Sequence, residues 1–140
     1  MILILKETAK LVRDKLEKID FPDRLNCCGI LKRFPNACCT VTAIVYLYYL
    51  MKYKSFDPDV LFLISNAEIK PGYRHAWAQV CEFHIDLTAD QFGREKIIVT
   101  NDNPWLNVCA SCSRHKFSQE QFNDLYEEDL IRICEYIDNE

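Results

Sequence analysis

The 140 residues carry 17 Lys+Arg against 21 Asp+Glu, 49% apolar side chains, three Gly, five Pro and eight Cys. A chain of this length can bury a core of its own as one domain over residues 1–140, and its low Gly and Pro content excludes collagen-like, linker-like and disordered sequences. Cysteine is frequent, yet below the density of a small disulfide scaffold.

Met1-Ile-Leu-Ile-Leu-Lys6 lacks the basic flank, long apolar stretch and small-residue cleavage site of a secretory signal. No run approaches the ~18 apolar residues of a membrane span. The expectation is a cytoplasmic chain with no membrane partner and reduced thiols, most of them acting as small core residues. Residues 118–140 hold eight acids against one base, Arg132. This reads as a helix with an acidic solvent face. No basic stripe with interleaved aromatics exists, so nucleic acid is not an expected partner.

In chain order, Leu5, Ala9, Val12, Leu16 and Ile19 recur at spacings of four and three, predicting an amphipathic helix over 4–19. Asp20, Pro22 and Asp23 end it. Residues 21–36 hold two Phe-Pro pairs and read as loop. From Cys38 to Tyr53 the chain is apolar on nearly every side, the mark of a buried central helix. Strand-forming runs follow at Val60–Ile64, His75–Val80, Phe83–Leu87 and Glu95–Thr100. Asn101-Asp102-Asn103-Pro104 is a turn signal. Ser118-Gln-Glu-Gln121 is a capping box opening a last helix with the stripe Phe122, Leu125, Tyr126, Leu130, Ile133, Cys134 and Ile137. Helices segregated from an antiparallel cluster of strands give an α+β fold.

The start of the buried helix is the most informative position. Cys38 and Cys39 fall in its first turn, where unsatisfied N–H groups and the helix dipole favour a thiolate. A thiolate is the nucleophile of acyl-transfer chemistry, and a helix N-terminus also offers oxyanion donors. Both cysteines are equally what an apolar helix uses to fill a core. Downstream, His75 and Asp86 lie eleven residues apart with a tight turn near Cys81-Glu82. They are expected approximately opposite each other on paired strands. The carboxylate would then hold one imidazole nitrogen and leave the other for a thiol.

Phe34-Pro35-Asn36-Ala37-Cys38-Cys39, His75-Ala76-Trp77, Ile85-Asp86-Leu87-Thr88-Ala89-Asp90-Gln91-Phe92 and Ile97-Ile98-Val99-Thr100 resemble motifs of a small bacterial Cys-His-Asp family. That family is similar to papain-like and transglutaminase-like cysteine hydrolases, and the motifs span roughly residues 34–100. Its pattern, Phe-Pro-x-Gly-x-Cys-Gly-Asp-x-Ser, matches the nucleophile to Cys39 and leaves Cys38 on the variable position. The chain departs from the pattern at Ala37, Thr40, Val41 and Ala43, at Cys81-Glu82 in the hairpin, and at His84.

The resemblance implies a papain-like α+β fold and a cysteine hydrolase, of peptidase or glutamine-deamidase type, that needs no cofactor and takes a peptide or protein substrate. Cys39 would be the nucleophile, His75 the acid–base and Asp86 its orienting group, with the Cys39 backbone N–H in the oxyanion hole. Asn36, or else Asn26, would add a side-chain donor. Trp77 and Gln91 would support the site, Trp77 by filling the core or shielding it, Gln91 as an amide serving loop backbone. Likeness to bacterial effectors leaves secretion as an effector open.

Two other readings stand beside this one. Cys109-Ala-Ser-Cys112-Ser-Arg-His115 has half the spacing of a zinc knuckle. Only one such half is present, so no metal is expected. A non-catalytic interaction module on the same scaffold, using the acidic C-terminal helix, is the alternative function, as is an acyltransferase or transglutaminase.

Overall fold

The computed structural model describes residues 1–18, 39–108, 111–117 and 127–139. Helix α1 (Ile2–Lys18) buries Leu5, Ala9, Val12 and Leu16, the stripe expected from the sequence. Helix α2 (Cys39–Tyr53) buries every residue from Val41 to Leu50. Such enclosure demands neighbours on all sides, and α2 packs on α1, on helix α3 (Glu127–Asp138) and on the sheet. Its polar tips are paired rather than stranded. Tyr46 Oη donates to Leu5 O at 2.9 Å, and Tyr49 Oη donates to Asp138 Oδ1 at 2.9 Å. Burial of each large α2 side chain contributes about 2 kcal/mol. The Cys38 position, the 21–36 loop and the Ser118–Gln121 capping box lie outside the described residues.

Five strands, β1 (Leu61–Lys70), β2 (Tyr73–Val80), β3 (Phe83–Asp86), β4 (Ile98–Thr100) and β5 (Ser113–Lys116), form an antiparallel sheet in the order β4-β3-β2-β1-β5. The fold is therefore α+β. Three features differ from the sequence expectation. β1 continues six residues past Ile64, through poor strand formers, because β2 pairs with it as far as Lys70. A bulge carries it through Asn66, whose φ of 59° an Asn tolerates. β4 begins at Ile98 rather than Glu95. β5, read from the sequence as loop, is recruited by β1, where His115 pairs with Leu63.

Side-chain alternation splits the core across the sheet. Leu61, Leu63, Ala76, Ala78, Val80, Ile85 and Leu87 join the helices in the main cluster. Ile64, Ala67, Trp77, Ala89, Ile98 and Trp105 form a second one. Among the described residues no helix is long and apolar enough to cross a membrane.

Candidate functional site

Cys39 is the first residue of α2, half-buried, at the end of the helix that abuts β2. His75 enters near the start of β2 and Asp86 ends β3. The hairpin register pairs Ala78 with Ile85, so Asp86 is level with Trp77 and diagonal to His75, two residues away from directly opposite. Both side chains still share one sheet face, and a diagonal contact is within reach of an imidazole. His75 Nε2 lies 2.7 Å from Asp86 Oδ2, with both groups about 1% exposed.

Cys39 also interacts with the His75 side chain. Burial favours the neutral imidazole, but the hydrogen bonds to Asp86 and Cys39 and the charges of both raise the His75 pKa to about 9. Burial likewise opposes a Cys39 thiolate. The His75 hydrogen bond and charge, with the Ala76 backbone N–H and the Thr40 side chain, outweigh it and hold the thiol below its ordinary value. A strand backbone and an imidazolium thus add to the helix N-terminus in stabilising the sulfur anion. The three expected residues are in one connected chain of contacts.

The sequence assigns no role to three partners around Asp86 and His75: Thr88 and Phe92 lie within the Ile85–Phe92 motif, and Trp105 lies outside every motif. Trp105 Nε1 donates to Asp86 Oδ2 at 2.8 Å, and the Thr88 backbone N–H donates to Oδ1 at 3.0 Å. Phe92 and Trp105 pack edge-on against the His75 ring, at centroid distances of 5.0 and 5.2 Å. Together they cover the His75–Asp86 pair, the shielding role raised for Trp77. Trp77 also packs against the His75 ring, at a centroid distance of 5.8 Å, and it fills the second core cluster and donates from Nε1 to His84 Nδ1 at 2.9 Å. Burial, aided by Arg114, lowers the His84 pKa, keeping that nitrogen an acceptor. The local signal for Trp105 is Asn103, whose Oδ1 accepts from the Trp105 N–H at 2.8 Å in an Asx turn.

Gln91 does not serve loop backbone as its principal contact. Its Nε2 lies 3.3 Å from His75 Nδ1, and the side chain lines the cleft beside Cys39. The short 3-10 segment Ala89–Phe92 that carries it is held from outside. Buried Arg13 of α1 grips both oxygens of Asp90, at 2.9 and 2.8 Å, and donates to Leu87 O at 2.6 Å.

The cleft over Cys39 has a volume of about 590 Å3, and Lys70, Tyr73, Arg74, Gln91 and Phe92 line it. That size suits a peptide-sized group. Asn36, Asn26 and Cys109 lie outside the described residues, while Cys112 and His115 are exposed, His115 on edge strand β5. Among the described residues no three His, Cys, Asp or Glu side chains converge to hold a metal. Comparison with family models, curated proteins and solved structures gives no match to this chain.

Proposed function

We propose that this protein is a cysteine hydrolase of papain-like or transglutaminase-like architecture that opens an amide bond through a thioester acyl-enzyme. One observation carries the reading: a buried carboxylate on His75 Nε2 and a thiol at a helix N-terminus both interact with the same imidazole. Structural thiols in apolar cores have the reverse electrostatics. Cys134, buried beside Val45 O, has its pKa pushed up by desolvation.

Cys39 Sγ attacks the substrate carbonyl, forming the S–C bond as the carbonyl electrons move onto oxygen. The Cys39 backbone N–H, at the start of α2, is the donor for the oxyanion that develops. His75 then protonates the leaving nitrogen as the C–N bond breaks, giving the thioester. In the second half His75 takes a proton from water, the new C–O bond forms, and the thiolate departs. A leaving amine from a peptide bond makes the reaction proteolysis; ammonia from a glutamine side chain makes it deamidation. Asp86 keeps the ring oriented and its charge balanced throughout, while Trp105 and Phe92 exclude water from the pair.

Iodoacetamide labelling near pH 6, mapped by mass spectrometry, tests the reading. Cys39 is expected to alkylate ahead of the other seven cysteines, and at least tenfold more slowly in His75→Ala. Uniformly slow labelling of all eight thiols would remove the enzyme reading and leave the interaction module.

A further inference from the structure

The cleft over Cys39 has a cationic wall that the acyl-transfer steps do not use. The β1–β2 hairpin tip brings Lys70 and Arg74 to the same cleft, both exposed, on either side of a turn at Gly72, whose φ is +82°. Arg74 Nη1 reaches the neutral Asn66 Oδ1, at 3.5 Å. Glu68 pairs with Arg74 in the strand register, yet among the described residues no carboxylate is within ion-pair distance of Lys70 or Arg74. No Asp or Glu of the described residues lines the cleft. This contrasts with the chain's excess of acids over bases. Beside the cations, the 63%-exposed Tyr73 ring and half-buried Phe92 offer apolar surface to a side-chain stem. Two cations in a concave site, unpaired among the described residues, focus a positive potential toward the sulfur.

We infer that the cleft selects acidic peptides, with Lys70 and Arg74 binding Glu or Asp side chains next to the carbonyl that Cys39 attacks. This specificity rests on the reading of Cys39 as the nucleophile. A peptide fits better than a polyanion such as nucleic acid, because two cations at one cleft match one or two carboxylates rather than a run of phosphates.

Three thiol-directed probes test it on the intact chain: iodoacetyl-Glu-Glu-amide, iodoacetyl-Gln-Gln-amide and iodoacetyl-Lys-Lys-amide. Each rate is read at Cys39 by mass spectrometry. The Glu-Glu probe is expected to react roughly fivefold faster than Gln-Gln, and Lys-Lys slower than both. The Glu-Glu to Gln-Gln ratio falls toward one in the Lys70→Gln/Arg74→Gln variant, and in wild type as salt rises from about 50 to about 500 mM. Lys10→Gln, an exposed charge change on α1, keeps the wild-type ratio. Equal rates for the three probes, or a ratio unchanged in the double variant, would overturn the inference. Slow labelling of Cys39 by every probe with the charge order intact would retire the acyl-transfer reading and retain the cationic subsite for acidic side chains. Fast labelling with no charge order would do the reverse.

Discussion

The indole N–H of Trp105 donates to Oδ2 of Asp86 at 2.8 Å, the same oxygen that lies 2.7 Å from His75 Nε2. One buried oxygen thus fixes both the imidazole and the ring that covers it. Trp105→Phe keeps an aromatic cover but removes the donor. Loss of a hydrogen bond to a buried charged group, plus the smaller ring, is expected to cost about 2–3 kcal/mol, read as a lower urea midpoint. Cys39 alkylation slows as well, because the carboxylate that orients His75 is less well held. An unchanged midpoint would mean that Trp105 is ordinary packing.

The pH response separates the two members of the thiol–imidazole pair. His75 has a folded pKa raised from 6.5 to about 9, so its stabilisation is fully present below 6.5 and lost as pH rises through about 9. Cys39 is lowered from 9.0, so its contribution is present above 9.0 and lost as pH falls through the lowered value. The two shifts act in opposite directions as pH rises, so the Cys39 contribution offsets part of the His75 loss in the wild-type stability curve. Cys39→Ser removes the compensating titration and exposes His75 alone, so stability declines above pH 6.5. Urea melts at quarter-unit pH steps measure both curves. Parallel curves would contradict the ion pair.

Arg13 ties α1 to the segment that carries Gln91 and Phe92. Its guanidinium is 2% exposed, and Arg13→Met leaves Asp90 and Leu87 O without their donors. The expected loss is about 2–4 kcal/mol. Arg13→Lys recovers little, because an ammonium cannot match the two-pronged contact. Thermal melts rank the two variants. Both should also slow Cys39 labelling, because Asp90 anchors the segment that carries Gln91 and Phe92.

Cys81 turns the β2–β3 hairpin with φ at 52°, a conformation that a Cβ disfavours. Cys81→Gly is expected to raise stability by about 0.5–1 kcal/mol, the relief of strain exceeding the added unfolded-chain entropy. The hairpin bonds that frame the turn use backbone, with Gln79 Nε2 donating to Cys81 O and Cys81 N–H donating to Val60 O, so they survive the change. A lower midpoint would show that packing of the half-buried thiol outweighs the strain.

Local periodicity determined much of this molecule. The spacing of Leu5, Ala9, Val12 and Leu16 gave α1 its buried stripe, and the all-round apolarity of residues 41–50 required a central helix. Both signals are short-range, because a helix repeats its environment every few residues. The same locality put Cys39 at a helix start and His75 and Asp86 on one hairpin. Length and composition, the first facts about the chain, fixed only that such a core was affordable.

Tertiary structure alone decided the rest. Strand β5 exists because β1 offers it an edge, not because Ser-Arg-His-Lys favours extension. The diagonal offset of His75 and Asp86 follows from hairpin register. Trp105, rather than Trp77, covers Asp86 because β-strand alternation and a distant Asx turn bring the indole to that carboxylate. Arg13 lies 77 residues from Asp90, and no pattern in the sequence joins them. The charge of the cleft was equally hidden. An overall excess of acids gives no hint that Lys70 and Arg74 meet above Cys39, since only the hairpin's path over the helix end brings them there.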